Sequence, residues 1–207
     1  PLDTERFVGS APKAELKARL GLSDPSLLYH GRIAAENRLE LLLEAAAEWK
    51  KVAPSVVLAI AGVGPIMPKL KQLAERLNLD ATVKFTGMLH GQDLVDFIVA
   101  SDIFVSPSDS ENQSMALLEA MAAGLAVVAA RGGGTPEHVR EGENALLTEP
   151  GDRASLVRGM LALIREPELR ARFGIASKNL AQRFDRHRVA EELEKIYASL
   201  VQRKAGS

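Results

Sequence analysis

The sequence predicts an α/β protein built on a Rossmann-like, doubly wound parallel sheet of about six strands. Three observations carry this reading. Short apolar runs of Val, Leu, Ile and Ala alternate along the chain with segments of helical spacing. The runs lack polar alternation, so their strands are buried on both faces. They are also too far apart for hairpins, so neighbouring strands are parallel and joined by right-handed crossovers.

Residues 1–12 read as a linker, because Pro1 to Ser10 holds no sustained period. Lys13 to Leu20 is a short helix ended by Gly21. Leu27 to Gly31 is the first strand, with Arg32 just past its carboxyl end. Arg38 to Val52 places Leu39, Leu42, Leu43, Ala46 and Trp49 on one helical face, and Pro54 ends it. Val56 to Ala61 is the second strand. Gly62-Val-Gly-Pro65 is a tight turn, and Pro65 suits the start of a helix running to about Leu77. Val83 to Phe85 is a third strand, Gln92 to Ala100 a helix, and Ile103 to Val105 a fourth strand. After the loop beginning at Ser106, Ser114 to Ala123 is helical. Ala126 to Ala130 is a fifth strand and Ala145 to Leu147 a short sixth, with a short helix from Thr135 to about Arg140 between them. Arg153 to Arg165, Glu168 to Phe173 and Val189 to Gln202 are helices.

Composition narrows the function. The chain has 207 residues, one full core, and a net charge of −1, which gives no basic footprint for nucleic acid. No apolar run approaches the ~20 residues of a membrane span. With no cysteine, disulfides and thiolate metal sites are excluded, which fits a reducing cytoplasm. The four histidines lack metal-ligand spacing; His30, inside the first strand, reads as a packed or hydrogen-bonded residue rather than a ligand.

In open α/β sheets ligands bind at the carboxyl ends of the strands. Arg32, Gly62, Gly64, Glu111 and the Gly132-Gly-Gly134 turn all fall there. The strand–loop–helix unit from Ile103 to Gly124 leaves free backbone N–H groups at the loop's end, an anion site. Glu111 lies on that loop and Glu119 one turn into the helix, eight positions on. Two such acids are common by themselves. Glu119, however, is flanked by Leu117, Leu118, Met121 and Ala122, and a buried carboxylate needs a partner; a sugar or ribose diol offers two hydroxyls. Arg32 fits a phosphate fork, against the plainer reading of a surface arginine. Asp109 with Glu111 suggests a paired-acid Mg²⁺ site only weakly. The Gly62-Val-Gly64 turn does not meet the dinucleotide fingerprint.

In order, His30-Gly31-Arg32, Ala61-Gly-Val-Gly-Pro65, Val83-Lys-Phe-Thr-Gly87, Ala100 to Ser108, Glu111 to Glu119, Glu119 to Gly124, Gly132 to Glu137, Glu141 to Asp152 and Arg183-Phe184 resemble the carboxyl-terminal, donor-binding domain of GT-B glycosyltransferases of retaining family 4. The Glu-x7-Glu spacing is that family's hallmark. The resemblance implies one half of a GT-B fold. It implies transfer of a sugar, with retention, from a UDP-, GDP- or ADP-sugar donor, with no metal or other cofactor required. Glu111 would contact donor-sugar hydroxyls and Glu119 the ribose hydroxyls. Arg32, beside Gly31, would hold the diphosphate. Backbone N–H groups near Ser114, Met115 and Ala116 would meet the distal phosphate or sugar, and the segment from Phe85 to Met88 would border the base. It divides the chain into an interdomain linker at 1–12, a nucleotide-sugar-binding domain at 13–184 and a carboxyl-terminal helix at 185–207 that returns to an amino-terminal domain carrying the acceptor site. Peripheral contact with the inner membrane face stays open for such a full-length protein.

Three departures stand out. Where the family has Lys then Gly after the Arg, this chain has Asn37 and Arg38. Arg38 is one source of the missing charge; alternatively Asn37 caps the helix, leaving one phosphate cation short. Glu111 is followed by Asn112-Gln113-Ser114 rather than Gly-Phe-Gly. The amino-terminal domain is not in this sequence. A degenerate nucleotide-binding or interaction module of the same fold is therefore the alternative reading.

Overall fold

A computed structural model of the chain describes residues 2–110 and 114–205. Its centre is a six-stranded sheet of β1 (Ser26–His30), β2 (Val57–Ala61), β3 (Val83–Gly87), β4 (Ile103–Ser106), β5 (Ala126–Ala130) and β6 (Ala145–Thr148). The order is β3-β2-β1-β4-β5-β6, with every pairing parallel. This is the doubly wound sheet expected. The chain winds outward from β1 to β3, returns to lay β4 beside β1, then winds the other way. The reversal between β1 and β4 opens a crevice at their carboxyl ends.

The helices are α1 (Lys13–Leu20), α2 (Leu39–Trp49), α3 (Met67–Arg76), α4 (Gly91–Ala100), α5 (Met115–Ala122), α6 (Thr135–His138), α7 (Arg153–Arg165), α8 (Pro167–Ala181) and α9 (Arg186–Ala205). Successive strand residues feed opposite cores, which is why the central strands β1, β2, β4 and β5 are largely apolar, whereas edge strand β3 carries exposed Lys84. Leu27, Tyr29, Ile103, Val105 and Val128 join Leu42, Trp49, Leu70 and Leu163 from α2, α3 and α7. Leu28, Phe104, Val127 and Ala129 join Phe97, Leu118 and Met121 from α4 and α5.

Some boundaries differ from the sequence reading. The helix expected to stop at Phe173 continues to Ala181. Gly174 lies inside α8 and is glycine because a Cβ there would overlap the carbonyl oxygen of Gly124. The helix from Thr135 ends at His138, where Val139 turns extended. Asn37 is not the cap of α2. It closes a short 3-10 turn, Ala35–Asn37, and the cap position belongs to Arg38 in a left-handed conformation, φ 51°.

Residues 2–12 lie packed on the domain. Leu2 and Phe7 are buried. The Leu2 N–H donates to the Phe184 carbonyl at 2.9 Å, and the Arg186 N–H donates to the Leu2 carbonyl at 2.8 Å. The Thr4 hydroxyl donates to Asp185 Oδ2 at 2.7 Å, and Arg186 pairs with Asp3 at 3.1 Å. Leu193, Ile196 and Tyr197 on α9 are exposed. Among the described residues no helix is long and apolar enough to cross a membrane, and no cluster of three or more acids and histidines has metal-site geometry.

Candidate functional site

The ends of β1 and β2 are pressed together by glycine. The Gly31 N–H donates to the Ala61 carbonyl and the Ile33 N–H to the Val63 carbonyl, both at 3.0 Å. A Cβ on Gly62 would overlap the Gly31 carbonyl oxygen, and Gly62 holds φ 142°; a Cβ on Gly64 would overlap Ile33 backbone. These two glycines therefore let two loops approach each other, and Gly64 faces protein rather than the crevice. In this turn the glycines serve backbone packing.

Gly62 also borders a cleft of about 290 Å³ with His30, Gly31, Arg32, Val63 and Met88, closed by Leu89 and Leu94. Gly31, Arg32, Gly62 and Met88 are thus brought together as expected. Phe85 is not. Alternation along β3 turns its ring, like the Val83 side chain, toward α3, where it lines a groove with Lys71 and Leu79.

Arg32 is fixed at its backbone and free at its tip. Its carbonyl accepts from Tyr29 Oη at 2.9 Å and from Asn37 Nδ2 at 2.8 Å. Asn37 is 5% exposed, so its amide is committed inside the protein. The Arg32 guanidinium is 70% exposed and touches only Glu36, at 3.2 Å, among the described residues. An exposed pair of that kind is worth little and yields readily to a better anion.

Across the crevice, α5 begins at Met115. Ser114 caps it, accepting from the Leu117 N–H at 3.3 Å. Its hydroxyl is thus occupied in folding, whereas the first-turn N–H groups at Met115 and Ala116 face away from any intrahelical partner. Glu119 follows one turn on, its side chain 19% exposed. Burial raises the Glu119 pKa, with the charge of Arg6 acting the other way. His30 stands between β1 and α5: Nε2 lies 3.0 Å from the Ala116 carbonyl and Nδ1 3.7 Å from Glu119 Oε2. The ring edge packs on Phe104. His30 is hydrogen-bonded and packed, as its place in the strand predicts; its approach to Glu119 is a tertiary contact with no local signal.

Arg38 reaches over the strand ends to Asp109, 2.7 Å away. Asp109 in turn lies against Gly132, where a Cβ would overlap its backbone. Glu111, expected on this same loop, lies outside the described residues. Ser108, two positions after β4, is 2% exposed, and its hydroxyl has no partner among the described residues.

Residues 12–180 match the family described as glycosyl transferases group 1. The putative glycosyltransferase EpsD of Bacillus subtilis is 33% identical over 202 residues, 96% of this chain and 52% of its own length. The sulfoquinovosyl transferase SQD2 of Arabidopsis thaliana is 33% identical over 190 residues, 89% of this chain and 36% of its own length. The chain therefore spans about a third to a half of such relatives. Among solved structures, Anabaena HepE in complex with UDP superposes with a TM-score of 0.86 at 26% identity, covering 96% of this chain and 56% of HepE. An isolated carboxyl-terminal domain of a Francisella tularensis glycosyl transferase group 1 protein shares the fold, with a TM-score of 0.81, 90% of this chain and all of that one covered. The ordered motifs, the sheet order and these likenesses converge: the chain belongs to the glycosyl transferases group 1 family and has the fold of the carboxyl-terminal half of a GT-B enzyme.

Proposed function

We propose that this chain is the donor-binding half of a retaining glycosyltransferase that takes its sugar from a nucleotide diphosphate sugar. The observation that carries the reading is the pairing, across the β1/β4 crevice, of the capped N-terminus of α5 and half-buried Glu119 with the loosely held guanidinium of Arg32. A helix N-terminus and an arginine suit a diphosphate; a half-buried carboxylate suits hydroxyls. HepE was crystallised with UDP and with UDP-glucose, which supports a nucleotide-sugar donor of this class.

In this reading Arg32 and the N–H groups of Met115 and Ala116 hold the diphosphate and stabilise it as it leaves. Glu119 takes ribose hydroxyls and Glu111 the donor sugar, as a positioning group rather than a nucleophile. The acceptor attacks from the face the leaving group vacates. An amino-terminal domain, joined through 1–12 and packed on α9, supplies the acceptor site. No metal or other cofactor is required. Calorimetry of the folded chain with UDP-, GDP- and ADP-sugars tests this: weak binding to at least one is expected, and none to any would reject it.

A second reading has its own observation. Asn37 is buried on the Arg32 carbonyl and Arg38 is spent on Asp109, so neither offers a second free phosphate cation. That favours a catalytically degenerate nucleotide-binding or interaction module. The decisive comparison uses the full-length protein. Turnover by wild type with any donor excludes degeneracy; turnover only after Asn37→Lys establishes it.

A further inference from the structure

His30 and Glu119 present an unresolved pairing. The Ala116 carbonyl can only accept, so the contact at 3.0 Å requires the proton on His30 Nε2. A neutral ring protonated there leaves Nδ1 with a bare lone pair. That lone pair faces Glu119 Oε2 at 3.7 Å, too long for a hydrogen bond between them. Burial strongly favours the neutral imidazole, whose pKa is pushed down to about 4. Among the described residues no donor bonds the Glu119 carboxylate. Two acceptors thus stand side by side, both largely removed from water, with His30 in the wall of the cleft that also holds Arg32. Both acceptors keep the capacity to take a hydrogen bond, and a direct pairing between them is not made.

We infer that His30 Nδ1 and Glu119 together form a subsite for a vicinal diol, each accepting one of two neighbouring hydroxyls. Adjacent ring hydroxyls lie closer together than the two acceptors, so each reaches its own partner without crowding. A single carboxylate chelating both hydroxyls would need no imidazole. Here the imidazole is held in one tautomer by a helix carbonyl and in one orientation by Phe104, which aims Nδ1 at the carboxylate. This subsite rests on the donor-binding reading above, and it adds a second, uncharged acceptor to it. The diol belongs either to the ribose or to the transferred sugar; both have the same chemistry.

The experiment is ¹⁵N NMR of the His30 ring in the chain, titrated with UDP, 2′,3′-dideoxy-UDP and UDP-glucose, and repeated with GDP and ADP if uridine nucleotides do not bind. The free chain should show a protonated Nε2 and a bare Nδ1. A ribonucleotide that moves the Nδ1 signal, where its dideoxy counterpart binds without moving it, supports a ribose diol. Movement only with the nucleotide sugar supports a sugar diol. Nucleotide binding that leaves Nδ1 unmoved in every arm overturns the subsite while sparing the donor-binding reading. No nucleotide binding at all overturns both. Calorimetry with two variants gives an independent readout. His30→Gln keeps a donor for Ala116 but loses the Nδ1 acceptor, and should weaken the diol-bearing ligand about tenfold, worth ~1.4 kcal/mol, without weakening its dideoxy counterpart. His30→Asn, with an acceptor near the Nδ1 position, should recover part of that loss. Equal weakening of both ligands by His30→Gln would mark His30 as purely structural and overturn the subsite.

Discussion

Arg38 holds Asp109 across the carboxyl ends of the sheet, Nη2 to Oδ2 at 2.7 Å, from a backbone conformation that few arginines adopt. The pair ties the start of α2 to the loop after β4, which leads into α5. Its importance lies in placement more than in stability. With the arginine side chain 45% exposed, Arg38→Ala should cost the fold no more than about 1 kcal/mol. It should nevertheless weaken nucleotide-sugar binding severalfold, because Asp109 loses its anchor. Thermal unfolding and calorimetry on one preparation separate the two; a large stability loss with unchanged binding would contradict this.

Gly62 permits the closest approach in the site. Alanine there must adopt φ 142° and displace the Gly31 carbonyl. Gly62→Ala should therefore destabilise by about 3 kcal/mol, from backbone strain and overlap together. Denaturant titration checks it, and a change under ~1 kcal/mol would show that the two loops separate easily.

The cap of α5 makes a smaller, cleaner test. Ser114→Ala removes the acceptor for the Leu117 N–H and should cost about 1 kcal/mol, whereas Ser114→Asp should restore stability. Because the serine hydroxyl serves the helix rather than a ligand, Ser114→Asp that retains stability but lowers nucleotide affinity would locate anionic ligand close to this helix end.

Stability should also respond to pH through His30. The unfolded imidazole titrates near 6.5, but burial, opposed by the bond to the Ala116 carbonyl, holds the folded one at about 4. The unfolded chain thus takes up a proton that the folded chain refuses. This contribution is complete above the unfolded value and is lost as pH falls from 6.5 toward 4. Glu119 works in the opposite sense, since its raised pKa lets the folded state accept a proton more readily. His30→Leu should flatten the acid limb, by at most ~3 kcal/mol. Parallel acid limbs for wild type and variant would show that His30 titrates normally.

Much of this architecture was legible because the central strands are apolar on both faces and the crossovers carry helical stripes. The sheet, its sense and the position of Glu119 followed from that. Boundaries slipped where tertiary contact overrides local preference: the helix expected to end at Phe173 runs on through Gly174, where only glycine leaves room for the Gly124 carbonyl. Asn37 has the residue type of a cap, yet its amide serves the Arg32 carbonyl. Phe85 lies at a binding edge in sequence, but strand alternation turns its ring to the opposite face. The contacts of His30 with α5 and of Arg38 with Asp109 join residues 86 and 71 positions apart, beyond any local pattern.

Leu2 bonds to backbone on both sides, from its N–H to Phe184 and from Arg186 to its carbonyl. Where the polypeptide comes onto the domain and where it leaves are consequently one place. The folded body between them is nearly a ring, closed by hydrogen bonds rather than a peptide. Such a ring is suited to circular permutation: a short bridge could join Arg186 back to Leu2, with new termini opened in the exposed turn at Lys51 and Val52.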